Sequence, residues 1–351
     1  MSDNEGTTEP ISGRLTAFKG ILIKGAVSLG FLIYLFFSIK LASLRETLLN
    51  TDVMLLLCAL FLYLLSQLVR TLRWWLLLNR RSRPPFLSLL SLYFIGMFFN
   101  QFLPTSIGGD VVRGYYLWKE TDDKEHALSS ILMERFAGFF MLFVISLLAS
   151  LVGMIGMGTS FLLVSVFIAS LFPIVAMSFF FVPGCFEFAN RILLLRRLGI
   201  RKKIAPIYYA ALAYRKEWRR LAGALLLSLL FQIILILVYY CLSLSLRLSI
   251  PAGYFCLLVP MITASAMMPF SLNGLGIREG VSVLLFSRVG TTNAQALSLS
   301  FLMLLVGFVS GLVGGMIYPF FRSEYLRNRE IPRKTGRGRK IFRKRTGPDE
   351  K

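Results

Sequence analysis

The stretch "FFNQFLPTSIGGDVVRGYYL", residues 98–117, interrupts a chain that is otherwise apolar on both sides of it. It places a proline, two adjacent glycines, an aspartate and an arginine within ten positions. Proline and glycine break helices, and a broken backbone at membrane depth is tolerated only inside protein or beside a wet cavity. The stretch therefore predicts a broken helix with Asp110 and Arg113 at the break.

The rest of the chain has the composition of a membrane protein. Of its 351 residues, 56% are hydrophobic and 16% are charged, whereas soluble domains carry about 25% charged residues. Several apolar runs come close to or exceed the ~20 residues that span a bilayer as helix: 25–39, 53–69, 136–157, 160–182, 221–244 and 296–321. We predict an all-α, polytopic helical integral membrane protein with about eight transmembrane helices and two re-entrant or broken-helix hairpins.

The net charge of +21 is concentrated in three basic segments, which are residues 70–83, 183–220 and 322–345. Basic runs can bind nucleic acid, but cytoplasmic loops of membrane proteins also carry surplus Lys and Arg and attract anionic lipid headgroups. We predict the second of these: basic cytoplasmic loops, no nucleic-acid partner, and both termini cytoplasmic in the plasma (inner) membrane of a prokaryote.

The predicted threading places a first helix near 20–39 and a second near 53–79, which leads into the first basic segment. It divides the chain into three parts. Residues 1–18 are expected to be a disordered cytoplasmic tail, because they lack the basic and apolar regions of a signal peptide. Residues 19–321 form the transmembrane domain, which includes the basic interfacial segment 183–220. Residues 322–351 form a basic cytoplasmic tail.

A second stretch, "MMPFSLNGLGIREGVSVLLF" (267–286), repeats the pattern of proline, serine two residues later, glycine-rich turn and arginine. The corresponding residues are Pro104, Ser106, Gly108, Gly109 and Arg113 in the first break, and Pro269, Ser271, Gly274, Gly276 and Arg278 in the second. Two interrupted segments in corresponding halves of a chain indicate a transporter's binding site. Two ordinary interhelix turns at the membrane surface are the alternative.

Charged residues within membrane segments cost about 2.5–3.5 kcal/mol each on insertion scales and usually mark function. Those in or beside the apolar segments are Asp110, Arg113, Glu134, Arg135, Arg278 and Glu279. A half-helix that starts at Gly108 or Gly276 would present free N–H groups to an anion, and the planar fork of arginine suits a phosphate. The alternative is a purely structural network in which Glu134 and Arg135 pair with the other charges.

Residues that carry catalysis or bind metals are not grouped in this sequence. The chain has one histidine and four scattered cysteines, and it contains no nucleotide-binding loop or HExxH motif. We therefore predict no catalytic residue, no metal site and no cofactor. A lipid-modifying enzyme stays an alternative, although it would require a catalytic cluster.

At the two breaks the chain resembles the membrane region of lysylphosphatidylglycerol synthases, a flippase-like family. The marks of that family are an N-x-x-x-P…GGD-x-x-R segment, an R-x-x-G helix start and a proline-led segment that ends in G-x-G-x-R-E. They correspond to Asn100, Pro104, Gly108, Gly109, Asp110 and Arg113, then Arg135 and Gly138, then Pro269, Asn273, Gly274, Gly276, Arg278 and Glu279. The resemblance covers about residues 15–325.

The resemblance implies a lipid flippase, which moves an aminoacylated phospholipid between leaflets, or, in standalone members, lipids or lipid-linked sugars. This sequence shows no cytosolic aminoacyl-transferase domain, so no tRNA-dependent transfer of lysine is expected here. The hypothesis is translocation of an anionic or lipid-linked headgroup, such as an aminoacyl-phospholipid or isoprenoid-phosphate sugar. The expected headgroup groove consists of Asn100, Pro104, Gly108, Gly109, Asp110, Arg113, Glu134, Arg135, Asn273, Gly274, Gly276, Arg278 and Glu279.

The expected partners are membrane lipids, with anionic headgroups at the basic loops. Small residues in "GFVSGLVGGM" (307–316) favour close helix contacts, which could be internal packing or the seam of a homodimer. The rival to a flippase is a non-transporting scaffold or accessory subunit for a lipid synthase or glycosyltransferase, which would be the partner enzyme.

Overall fold

The computed structural model describes residues 49–78, 83–102, 108–157, 161–179, 212, 214–267 and 274–330. The α-helices within these ranges are α1 (Val53–Leu77), α2 (Phe86–Phe102), α3 (Gly108–Thr121), α4 (Lys124–Met157), α5 (Phe161–Phe179), α6 (Trp218–Ser245), α7 (Ala252–Ala266), α8 (Ile277–Phe286) and α9 (Asn293–Glu330). The predicted helix near 20–39, both predicted tails up to residue 18 and from 331, and most of 183–220 lie outside the described residues.

Four helices of the described ranges are long and apolar enough to cross a bilayer. They are α1, Lys124–Met154 of α4, α6, and Asn293–Phe321 of α9. Two shorter apolar helices, α2 and α7, accompany them. The all-helical class is thereby confirmed for the described part of the chain, while the count of about eight spans and the two re-entrant hairpins stay predictions.

The outer faces of these helices carry large apolar side chains. Met54 and Phe61 of α1 are 77% and 66% exposed, and Phe320 near the membrane end of α9 is 78% exposed. The inner faces, in contrast, bury serine, glutamine and charged side chains. Such an arrangement fits lipid as the surrounding solvent, because only the interior then offers partners to polar groups.

Helix α2 lies between α3 and α9 and approaches both closely. A methyl group added at Gly109 of α3 would overlap the carbonyl oxygen of Gly96, and one added at Gly314 of α9 would overlap the carbonyl oxygen of Phe94. Gln101 Nε2 also donates to the Gly307 carbonyl oxygen of α9, at 2.9 Å. The small residues of α9 therefore serve packing within the chain.

The end of α1 lies close to that of the predicted helix near 53–79. Arg70 and Arg73, the first members of the basic segment 70–83, belong to α1, which begins at an Asp52 side-chain cap and continues to Leu77. Arg73 is only 3% exposed. The sequence did not predict this burial, because a run of basic residues does not reveal that an acid from another helix lies opposite. At the other end of the chain, α9 stays helical to Glu330, past the predicted tail boundary at 321.

Candidate functional site

A group of charged side chains lies where α1, α3 and α4 meet. Its members, which we call the charge cluster, are Arg70, Arg73, Asp110, Arg113, Glu134 and Arg135. Because α4 begins at Lys124, Glu134 and Arg135 lie well inside a membrane-crossing helix and not at its end. Four of the six residues are buried, and Arg70 and Arg135 are half-buried.

Glu134 is the central acceptor of the charge cluster and is 1% exposed. Its Oε1 accepts from Arg73 Nη2 and from the Tyr93 hydroxyl, the latter at 3.0 Å. Its Oε2 accepts from Arg113 Nη2 at 3.2 Å. One carboxylate thus joins α1, α2, α3 and α4 at a single point.

Asp110 occupies the first turn of α3, where the helix dipole favours a negative charge. Its two oxygens accept from Arg113 Nη2 and from Arg135 Nε. One residue earlier, the Gly109 N–H donates to Asn100 Oδ1 of α2 at 2.7 Å. The start of this half-helix is therefore held by side chains from both flanking helices.

Arginines of the charge cluster also make cation–π contacts with aromatic rings and a hydrogen bond to a serine of α6. The Arg113 guanidinium carbon lies 4.2 Å from the ring centroid of Tyr93 and 4.9 Å from that of Trp74. Arg73 Nη1 donates to Ser228 Oγ at 2.9 Å. Cation–π contacts of this kind are stronger away from water, so the rings stabilise a charge that the membrane would otherwise penalise.

Positive charge exceeds negative charge in the cluster. Four guanidinium groups face two carboxylates among the described residues. Arg70 Nε, Arg73 Nε and Arg113 Nη1 are buried and meet no hydrogen-bond acceptor there. Buried donors are nearly always satisfied in folded proteins, so three such donors in one place are what a site for an anion would present.

The second break is built around a carboxylate of its own. Gly274 and Gly276 adopt φ angles of 78° and 83°, a left-handed conformation that glycine allows. Glu279 Oε2 accepts the Gly276 N–H at 2.6 Å, and its Oε1 accepts from Arg278 Nη2 at 2.8 Å and from Nε at 3.1 Å. At both breaks a side chain thus accepts a hydrogen bond from an N–H at the helix start. The acceptor is Asn100 at the first break and Glu279 at the second.

The structure brings most, but not all, of the predicted groove residues together. Asn100, Gly108, Gly109, Asp110, Arg113, Glu134 and Arg135 form one site, whereas Gly274, Gly276, Arg278 and Glu279 form another. Among the described side chains no hydrogen bond or ion pair joins the two sites. Tyr63 of α1 lies between them, within coulombic range of both Arg70 and Arg278. Pro104 and Asn273, with Ser106, Pro269 and Ser271, lie outside the described residues.

Sequence reasoning missed the contribution of α1 and α2. Arg70, Arg73 and Trp74 come from α1, and Tyr93 comes from α2. A usable signal was present in α1, where Gln67, Arg70 and Trp74 follow one another at spacings of three and four in an apolar segment. Such spacing puts side chains on one helix face.

No group of three or more potential metal ligands occurs within the described ranges.

These features define the class of protein: an all-helical, multi-pass membrane protein with a buried charge cluster at the start of α3. The chain matches the family "Lysylphosphatidylglycerol synthase TM region" over residues 21–315 and belongs to that family. Family membership associates this membrane domain with lipid handling. Comparison with curated proteins and with solved structures gave no match.

Proposed function

We propose that this protein translocates an amphipathic lipid with an anionic or lipid-linked headgroup, such as an aminoacyl-phospholipid or an isoprenoid-phosphate sugar. The observation that carries the proposal is the excess of guanidinium groups over carboxylates in the charge cluster, together with its unsatisfied buried donors. A buried excess of cations is unfavourable on its own and becomes favourable when an anion arrives.

In this proposal the lipid's acyl or isoprenoid chains stay in the bilayer, and only the headgroup needs a polar path. Arg113 contributes its unsatisfied Nη1 to the headgroup phosphate, while Asp110 and Glu134 fix the orientation of its fork. Arg278 and Glu279 at the second break form the other polar contact site along the path. A flippase needs both contact sites, since the headgroup enters from one leaflet and leaves into the other.

Translocation by purified protein in liposomes tests the proposal directly. Phosphatidylcholine liposomes would carry a trace of NBD-labelled phosphatidylglycerol or of an NBD-labelled isoprenoid-phosphate sugar, and dithionite would bleach the label in the outer leaflet. We expect wild-type protein to expose the inner-leaflet label of one of these lipids. Arg113→Gln should slow that rate about 10- to 150-fold, the equivalent of one charge-assisted hydrogen bond.

Arg288→Gln is the matched control, because Arg288 is exposed in the short 3-10 turn after α8 and lies outside the charge cluster. Its rate should equal that of the wild type. Wild-type liposomes that bleach no further than empty ones, for both labelled lipids, would contradict transport and favour the scaffold reading. A folded Arg113→Gln protein with full transport activity would show that Arg113 does not bind the headgroup.

A further inference from the structure

The face of α1 that points into the protein carries a continuous polar stripe. Tyr63, Gln67, Arg70 and Trp74 follow at intervals of four, three and four residues, which places them on one side of the helix. At 1.5 Å per residue the stripe extends over about 16 Å, half the thickness of the hydrocarbon core. It begins near the second break, at Tyr63, and ends at Trp74 under Arg113.

Arg70, in the middle of this stripe, differs from the other cluster arginines in its partners. Arg73, Arg113 and Arg135 each form an ion pair with Asp110 or Glu134. Among the described residues, Arg70 forms none. Its hydrogen bond is a long one from Nη1 to Gln67 Oε1, at 3.5 Å, and its Nε is buried without an acceptor.

Aromatic rings hold Arg70 in place instead of a carboxylate. The guanidinium carbon lies 5.0 Å from the ring centroid of Tyr93 and 5.1 Å from that of Phe231. The residue as a whole is half-buried. A planar cation that lies over two rings and keeps a buried donor without an acceptor has the chemistry that binds an oxyanion.

We infer that Arg70 also binds the phosphate oxyanion of the headgroup, on its path between Arg113 and Arg278. A phosphate at Arg113 or Arg278 must compete with a carboxylate already paired there, whereas at Arg70 it meets an unpaired cation. The rings of Tyr93 and Phe231 orient the fork, and Tyr63 and Gln67 supply polar neighbours along the stripe. The inference rests on the proposed function in one respect, which is that the bound lipid is the molecule that is transported.

The binding role and a purely structural role differ in their effect on stability. A structural arginine stabilises the fold, so its removal lowers the melting temperature. An unpaired cation held for a ligand costs stability in the ligand-free protein, so replacing it by the apolar and similarly long methionine leaves the melting temperature unchanged or raises it. Arg70→Met therefore tests the role by a readout other than transport.

The experiment compares wild type, Arg70→Gln, Arg70→Met and the control Arg288→Gln as full-length protein in detergent. Native mass spectrometry would measure retention of phosphatidylglycerol against phosphatidylcholine after exposure to mixed vesicles of the two. Melting curves would be recorded in sodium phosphate and in sodium chloride of equal ionic strength. We expect both Arg70 variants to retain about tenfold less phosphatidylglycerol than wild type and the control.

The two probes separate the sources of the oxyanion. Loss of phosphatidylglycerol retention supports a lipid headgroup, while loss of phosphate-dependent stabilisation alone supports a site for free phosphate. Unchanged retention and unchanged phosphate response in folded Arg70→Met protein would overturn the inference, as would a marked fall of its melting temperature in sodium chloride. Wild-type protein that binds phosphatidylglycerol through Arg70 but fails to move lipid in liposomes would instead refute the proposed function and leave this site standing.

Discussion

Replacing Glu134 by glutamine is expected to lower the free energy of unfolding by about 3–5 kcal/mol, the cost of breaking a buried ion pair from one side. Glu134 accepts from Arg73, Arg113 and Tyr93 at once, so the substitution leaves two buried guanidinium groups facing a neutral amide. Glutamine has nearly the same shape as glutamate, which makes the lost charge the main change. The imbalance of charge in the cluster also increases, because only Asp110 then remains as an acid.

Equilibrium unfolding of the detergent-purified protein in mixed micelles would measure this effect. Glu125→Gln is the matched control, because Glu125 lies in the first turn of α4 and is exposed. This substitution should change the unfolding free energy by less than about 0.5 kcal/mol. A Glu134→Gln protein as stable as the control would mean that the carboxylate is not needed to hold the arginines. Replacing Arg73 and Glu134 together by methionine should recover much of the loss, since no uncompensated charge from this pair would remain.

Replacing Gly109 by alanine is expected to cost about 3 kcal/mol of unfolding free energy and to abolish lipid translocation. The added methyl group would overlap the backbone carbonyl oxygen of Gly96 and would lie 2.9 Å from Asn100 Cγ. Backbone atoms cannot move aside as a flexible side chain can, so α2 and α3 would have to separate. That movement would also displace Asp110, the next residue, from the arginines that it binds.

Gly253→Ala is the matched control for this second prediction. Gly253 lies in the first turn of α7, is exposed, and would place a methyl group with nothing within 4 Å. Alanine there should stabilise the protein by about 0.5–1 kcal/mol, through helix propensity alone. Unfolding and liposome transport measured on both variants give the test. Normal stability and normal transport in Gly109→Ala would show that α2 and α3 are not held at this distance.

Much of the helical framework could be predicted from the sequence, because it depends on local pattern. Apolar runs predicted α1, α4, α6 and α9, although α4 begins at Lys124, before the run 136–157, and α1 continues to Leu77, past the run 53–69. The glycine pairs predicted where the half-helices start, and α3 begins at Gly108 while α8 follows Gly276. Each of these features is set by residues that are neighbours in the chain.

The site was predicted only in part, because its partners come from distant positions in the chain. Asp110, Arg113, Glu134 and Arg135 could be selected as charges beside or within apolar segments. The sequence also left open whether they formed one network with Arg278 and Glu279, and the structure groups the first four and keeps the other two as a separate pair. Arg70 and Arg73 were counted only with the basic segment at the end of the predicted helix, so their place in the charge cluster was not predicted.

By itself, the sequence determined that the chain is a helical membrane protein with two glycine-rich segments at helix starts and charged residues beside them. Hydropathy and backbone chemistry decide those features, and both act over a few residues. Only the tertiary structure decided which cation of the charge cluster has no carboxylate partner among the described residues. Arg73 meets Glu134 across 61 positions of the chain and Arg70 meets aromatic rings, a difference that arises from helix packing and not from the three residues that separate them.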